Sequence, residues 1–266
     1  MIGALRLLAA AWPRAGVAAA HAFAALTLPL GHGIADADIA AVFPELGPEA
    51  RRPVRQLTWE AFLKGEAVDA AVRRRTGYPR VIPSPELTSL RPPLVLASFH
   101  VGPHQALAEV LRALPGEVVA IDRGQFARRG GLRLLPAGED QWARARTFHR
   151  TVTALRSGAS VFVDLDAFHP DDYDVATIEA PVLGRSLPLA RGAFALARIG
   201  RVPLVPLVAR WRGTAIETTV GEAIDPSAGE QAMAAAAGRF LDEYLRERPG
   251  EVSVFVLERL RPPPVT

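Results

Sequence analysis

At 266 residues and 28.5 kDa the chain can hold one large α/β unit or two small ones, and an apolar fraction of 49% excludes a disordered chain. It has no cysteine, which excludes disulfide frameworks, thiolate nucleophiles and zinc–thiolate sites while leaving the compartment open. The net charge of +3 and pI near 9.9 come almost wholly from arginine, Lys64 being the only lysine; the basic residues are scattered without interleaved aromatics, so no nucleic-acid partner is expected.

Residues Met1 to Leu30 are rich in Ala and Leu, but Arg6, Pro13, Arg14, His21 and Pro29 interrupt them. The uncharged run Ala15 to Leu28 is short for a bilayer span of ~20 residues, and no cleavage pattern is convincing. A buried or interfacial helical hairpin is expected, in a soluble or membrane-surface protein. Asp36-Ala37-Asp38 caps a short helix that ends near Phe43-Pro44-Glu45, and Gly47-Pro48-Glu49 starts a longer one through about Arg75, with apolar Val54, Leu57, Trp59, Phe62, Leu63 and Val68. Pro79 to Pro93 is read as a proline-rich connection.

The apolar run Leu94 to Phe99 reads as a buried strand that delivers His100 and His104 to a helix start at Gly102-Pro103, with the helix running through Arg112. Strand-to-helix junctions are where α/β enzymes commonly expose chemistry. Five positions beyond His100 stands Gln105, and five beyond His104 stands Glu109, so two registers compete. Glu117 to Ile121 is a second strand, and Arg123 to Ala137, with Arg123, Arg128, Arg129 and Arg133, reads as a flexible basic loop. A helix over Asp140 to Arg156, a strand over Ser160 to Leu165 and an acidic loop over Asp166 to Glu179 follow. The chain closes with helix Leu189 to Ile199, strands Val202 to Ala209 and Ala215 to Val220, helix Gly229 to Arg246 and strand Val252 to Leu257. Strands alternating with helices imply a mixed, largely parallel central sheet flanked by helices. One domain over 1–266 is expected, with an N-terminal helical part over 1–78 and an α/β part over 79–266.

The order of these landmarks resembles the lysophospholipid acyltransferase superfamily, specifically its lipid A lauroyl and myristoyl acyltransferase branch. Phe43-Pro44-Glu45 is similar to the branch's FPE segment, and Leu94 to Gln105 resembles the strand and H-x-G-x-x-E motif that carries the superfamily's His-x4-acid signature. Gly158 to Asp166 resembles its glycine, strand, aspartate segment; Arg191 to Arg198 through Val205-Pro206 resembles its small-residue helix and following strand; Glu243 to Glu251 is similar to its closing segment. The resemblance implies a glycerolipid acyltransferase-like fold and transfer of a fatty acyl group from an acyl carrier protein (acyl-ACP) or coenzyme A (acyl-CoA) thioester, with no metal and no other cofactor. The acceptor is a hydroxyl or amine of a lipid or lipid-like molecule. A divergent member acylating a small specialised metabolite, or an inactive module that binds acyl chains or the carrier protein, are the alternative readings. A cytoplasmic protein, peripheral on the inner membrane face, is expected. The departures are Gln105 at the position of the acid, His104 before it, and Val252-Ser253-Val254-Phe255-Val256 in place of a tryptophan-rich ending.

Acyl transfer needs a base for the acceptor proton, donors for the oxyanion and a group that holds the base in one tautomer. His100 fits the first role. Gln105 carries no charge to offset a developing imidazolium, so three rescues stay open: Glu109 one turn beyond Gln105, His104 with Glu109, or Asp166 reaching the same sheet edge. His100 as base, oriented by Gln105 or Asp166, is preferred. Gly102, Arg123 and Arg191 are the substrate-binding candidates, the arginines through their forked affinity for phosphates. His169 and Asp174 repeat the His-x4-Asp spacing without a preceding strand, and Asp164, Asp166, His169, Asp171 and Asp172 crowd a loop that reads as solvated rather than as a Mg²⁺ or Ca²⁺ site.

Overall fold

A computed structural model describes residue 2 and residues 13–27, 34–73, 80–122, 132–138, 140–166 and 175–260. In chain order, α1 (Pro13–Thr27), α2 (Asp36–Val42) and α3 (Pro48–Arg73) precede β1 (Val81–Ile82) and α4 (Pro85–Ser89). Then come β2 (Val95–Ser98), a 3₁₀ turn at His104–Ala106, α5 (Leu107–Leu111), β3 (Val118–Asp122), β4 (Arg133–Pro136), α6 (Gln141–Arg156) and β5 (Ser160–Asp164). The hairpin β6 (Thr177–Val182) and β7 (Arg185–Ala190) leads into α7 (Arg191–Gly200), followed by β8 (Leu204–Arg212), β9 (Ala215–Val220), α8 (Glu230–Glu247) and α9 (Val254–Leu260).

Among the described residues seven strands form one sheet in the order β1-β9-β8-β2-β5-β3-β4, and β6 pairs with β7 in a separate hairpin. Every neighbouring pair in the large sheet is parallel except β8 with β9, so the sheet is mixed and largely parallel, as the alternation of elements implies. Period-two alternation sends successive side chains to opposite faces. Val95, Ala97 and Phe99 enter one core with Val161, Leu204 and Val208, together with the buried faces of α6, α7, α8 and α9. Leu96, Phe162, Val205 and Leu207 enter the other, under α1, α3 and α5. Both faces of β2 are therefore buried, which is why its sequence is a continuous apolar run.

Several boundaries differ from the sequence reading for identifiable reasons. Val252 to Leu257 is not a strand. The Ser253 hydroxyl accepts from the Val256 N–H at 3.1 Å, starting α9, and Val256, Leu257 and Leu260 are its buried stripe. The expected helix after Gly102 is a 3₁₀ turn and one short helix, because Gly102 and Pro103 hold the chain out of helical geometry until His104. The basic loop contains β4, which pairs in parallel with β3 and is edged by exposed Arg133. Leu189 and Ala190 belong to β7 rather than to the following helix. The proline-rich connection holds β1 and α4, the latter capped by Ser84, whose hydroxyl accepts from the Leu87 N–H. Ala35, not an aspartate, is the cap of α2; Asp36 and Asp38 lie in its first turn, and Asp36 pairs with Arg51 at 2.8 Å. Most of Met1 to Trp12 lies outside the described residues. No helix among the described residues is long and apolar enough to cross a membrane.

Candidate active site

Two adjacent parallel strands build the site. β2 and β5 pair without offset, Ser98 standing opposite Asp164, and the Leu165 N–H donates to the Ser98 carbonyl at 2.8 Å. Two residues further along each strand the same register sets His100 beside Asp166. The Asp166 carboxylate, with no solvent exposure, accepts the His100 backbone N–H at 3.2 and 3.0 Å and stands 2.8 Å from Nδ1 of the ring. A carboxylate only accepts, so Nδ1 carries the hydrogen and Nε2 is the ring nitrogen left to exchange a proton with a substrate.

The charges follow from this geometry. Burial pulls the His100 imidazole down, but the carboxylate of Asp166 and, further off, that of Asp164 outweigh it, while Arg259 opposes them; the His100 pKa is raised to about 9. Burial alone would push Asp166 up; the adjacent imidazole and its N–H donors instead hold it below the ordinary carboxylate range. At neutral pH the two side chains therefore form an imidazolium–carboxylate pair.

The turn after His100 is pinned by its backbone. The Val101 N–H donates to the Phe99 carbonyl at 2.8 Å and the Gly102 N–H to the Glu251 carbonyl at 2.9 Å. Gly102 has φ of 55°, and a Cβ there would lie 2.4 Å from the Ala209 carbonyl oxygen, so only glycine fits. Beneath it the Tyr244 hydroxyl donates to Glu251 Oε2 at 2.5 Å. Burial pushes the Glu251 carboxyl up against that donor and Arg248.

Of the residues singled out from the sequence, the structure brings together His100, Asp166 and His104, whose ring centroid is 4.7 Å from that of His100. Gln105 points the other way. Its amide packs on α3 at Gly65, where a Cβ would lie 2.8 Å from Nε2, and its buried Oε1 accepts no hydrogen bond from the described residues. Glu109 pairs with Arg112 on α5. Arg191 starts α7 on the surface and pairs with Glu230 at 2.5 Å. Arg123, His169, Asp171, Asp172 and Asp174 lie outside the described residues. Among the described residues no group of three or more metal-ligating side chains converges. A cleft of about 310 Å³ opens on the α3 side of the Gly102 turn, lined by Leu57, Ala61, Lys64, Trp211, Gly250 and Glu251.

No family model matches the chain, and no curated protein does. Among solved structures it is similar to the 1-acyl-sn-glycerophosphate (LPA) acyltransferase PlsC from Thermotoga maritima, with a TM-score of 0.48 and 14% identity over 95% of this chain and 100% of that one.

Two residues that sequence reasoning missed also stand at the dyad. The Phe255 ring centroid is 4.9 Å from that of His100, and the Arg259 guanidinium lies 4.2 Å over the Phe255 ring. Both project from α9. The signal was present: Phe255 and Arg259 are four apart, hence on one helical face, and Ser253 is a helix cap. Reading Val252 to Leu257 as a strand placed Phe255 on an alternating pattern instead and left Arg259 beyond it.

Proposed function

We propose that the protein transfers a fatty acyl group from a thioester of acyl carrier protein or coenzyme A to a hydroxyl or amine of a lipid or lipid-like acceptor. His100 is the base and Asp166 the carboxylate that orients it. The observation that supports this most is the 2.8 Å contact between His100 Nδ1 and a fully buried Asp166 at the carboxyl edge of β2 and β5. The order of sequence landmarks supports it independently.

Nε2 of neutral His100 takes the acceptor proton as the acceptor oxygen or nitrogen attacks the thioester carbonyl. The tetrahedral intermediate collapses with cleavage of the C–S bond, and the imidazolium returns its proton to the departing thiolate. Asp166 holds the tautomer and offsets the charge on the ring, a part for which Gln105 has neither the charge nor the position. The reading needs no metal, the thioester being a substrate. The reading has the protein in the cytoplasm at the inner membrane face, for which Leu26 of α1, 70% exposed, is an apolar group suited to an interface.

Incubation of the wild type and His100→Ala with acyl carrier protein and coenzyme A thioesters and a panel of lysophospholipids, soluble alcohols and amines, followed by mass spectrometry, tests the reading. Acylated product from the wild type and none from the variant is expected. Equal product from both overturns the assignment of the base, and thioester binding without product from either overturns the activity.

A further inference from the structure

The proposed mechanism leaves one pair of interior ionisable side chains without a part. Tyr244 of α8 is 4% exposed and the Glu251 side chain 13%, and the tyrosine hydroxyl donates to Oε2 of the carboxyl at 2.5 Å. Burial pushes both groups up from their ordinary pKa values; for Glu251 the Tyr244 hydroxyl, Arg248 at 3.5 Å and the Trp211 backbone N–H of β8 offset it only in part. Taking a phenol and a carboxyl out of water costs stability that an apolar pair of the same volume would not, so the pair is a poor way to strengthen the core. It lies instead directly against the turn that carries the base. Glu251 meets Gly102 twice: its backbone carbonyl accepts the Gly102 N–H at 2.9 Å, and its carboxyl fills the space where a Cβ would stand 2.8 Å from Oε2 and 3.4 Å from the Tyr244 hydroxyl. From Glu251 the chain passes the Ser253 cap into α9 and reaches Phe255, whose ring centroid is 4.9 Å from that of His100.

We propose that Tyr244 and Glu251 are positioning residues of the His100 site: together they lock the Gly102 turn against β8 and so hold the imidazole in register with Asp166. Three features favour it. The brace converges from separate elements, Tyr244 from α8 and the Ala209 carbonyl, 2.4 Å from a Cβ on Gly102, from β8, so the turn is held from more than one direction. One residue supplies both the carbonyl that holds the Gly102 N–H and the carboxyl held by Tyr244, so a shift of the Glu251 side chain is passed to the turn. The same segment carries Phe255 against the imidazole, so the backbone before His100's ring contact and the contact itself move together. The bond from Nδ1 to Asp166 is 2.8 Å long and directional, and a displacement well under 1 Å weakens it. That the register serves acyl transfer rests on the function proposed above; the hold on His100 does not.

Histidine-ring NMR reads the register without turnover. His100 is assigned by the signal lost in His100→Gln and titrated with pH in the wild type, Tyr244→Phe, Glu251→Gln, Glu251→Ala and Met233→Ala. Met233→Ala removes a similarly buried side chain of α8 about three turns away and reports general loosening of the core. Tyr244→Phe removes the brace and no charge, whereas Glu251→Gln removes a charge and keeps an acceptor for the hydroxyl. The His100 midpoint is expected about one pH unit below that of the wild type in Tyr244→Phe and Glu251→Ala, as the imidazole loses part of its contact with Asp166, with a smaller fall in Glu251→Gln and none in Met233→Ala. Tyr244→Phe and Glu251→Gln, which preserve volume, decide the matter if Glu251→Ala does not fold. With a coenzyme A thioester and whichever acceptor of the panel is acylated, kcat should fall on the order of tenfold in Tyr244→Phe while KM stays within about threefold, because the brace touches the base and not the substrate. A wild-type midpoint in Tyr244→Phe, an equal fall in Met233→Ala, or a fall in Glu251→Gln as large as that in Tyr244→Phe, which would mark a field effect of the carboxylate, overturns the proposal. The expected NMR shifts with no acyl transfer by the wild type overturn only the function.

Discussion

Replacing Asp166 with asparagine separates the charge of the dyad from its shape. In the wild type the pKa of His100 stands at about 9 against an ordinary 6.5, a difference worth about 3 kcal/mol in favour of the imidazolium. With the carboxylate gone, burial acts with little opposition and the imidazole is expected to titrate below 6.5. A raised histidine pKa stabilises the fold fully at pH below 6.5 and loses that contribution as pH rises through about 9. The lowered pKa of Asp166 contributes above the ordinary carboxylate range and fades as pH falls through its depressed value. Asp166→Asn should therefore be destabilised by about 3 kcal/mol near pH 6.5, with the deficit shrinking as pH rises from 6.5 to about 9 and largely gone above that. Turnover should fall on the order of 10⁴, the loss that accompanies the same exchange in a serine protease triad. Histidine-ring NMR titration and melting curves at pH 6.5 and 10 measure both effects. A His100 that still titrates near 9 in the variant, or a stability deficit equal at both pH values, would refute the assignment of Asp166 as its partner.

Other substitutions probe the surroundings. Gln105→Glu would introduce a carboxylate where a buried amide oxygen already accepts no hydrogen bond, so it should lower stability by about 2 kcal/mol and leave turnover no higher, by chemical denaturation and product assay. Gln105→Leu, which removes that unpaired group, should be neutral or stabilising and keep turnover within about threefold. Gly102→Ala meets both a positive φ and the Ala209 carbonyl and should cost more than about 2 kcal/mol in denaturant unfolding, with turnover reduced in the fraction that folds. Turnover of the wild type should rise about tenfold per pH unit from pH 6 and level off near pH 9, since only neutral His100 accepts a proton; a profile flat from pH 6 to 9 would exclude it as the base.

The sheet and most of its helices were legible because apolar runs of four to six residues alternate with 3.6-period segments bounded by proline and glycine. His100 was legible for the same reason: a buried strand stops at a glycine that must adopt a positive φ, and the residue between is carried to the sheet edge. Its partner was not fixed. Asp166 follows a strand that comes after β3 and β4 in the chain yet lies next to β2 in space, and nothing in the spacing of residues states that adjacency. The local His-x4 spacing pointed to Gln105, whereas the 3₁₀ turn at His104–Ala106 directs that side chain onto α3. Glu109 was drawn away by Arg112 three residues on, an ordinary helical pair. At the end of the chain, β-branched residues in alternation suggested a strand, and the tertiary burial of Val256, Leu257 and Leu260 on one helical stripe prevailed over that propensity.

Because the chain has no cysteine, thiol released from a thioester can be followed with a thiol-reactive dye free of any signal from the protein itself. Acceptor-dependent thiol release by the wild type, His100→Gln and Asp166→Asn is the most direct measurement of the His100–Asp166 account. Release by the wild type that requires an acceptor, abolished in His100→Gln and lowered on the order of 10⁴ in Asp166→Asn, is the predicted result. Equal acceptor-dependent release by all three proteins would contradict it.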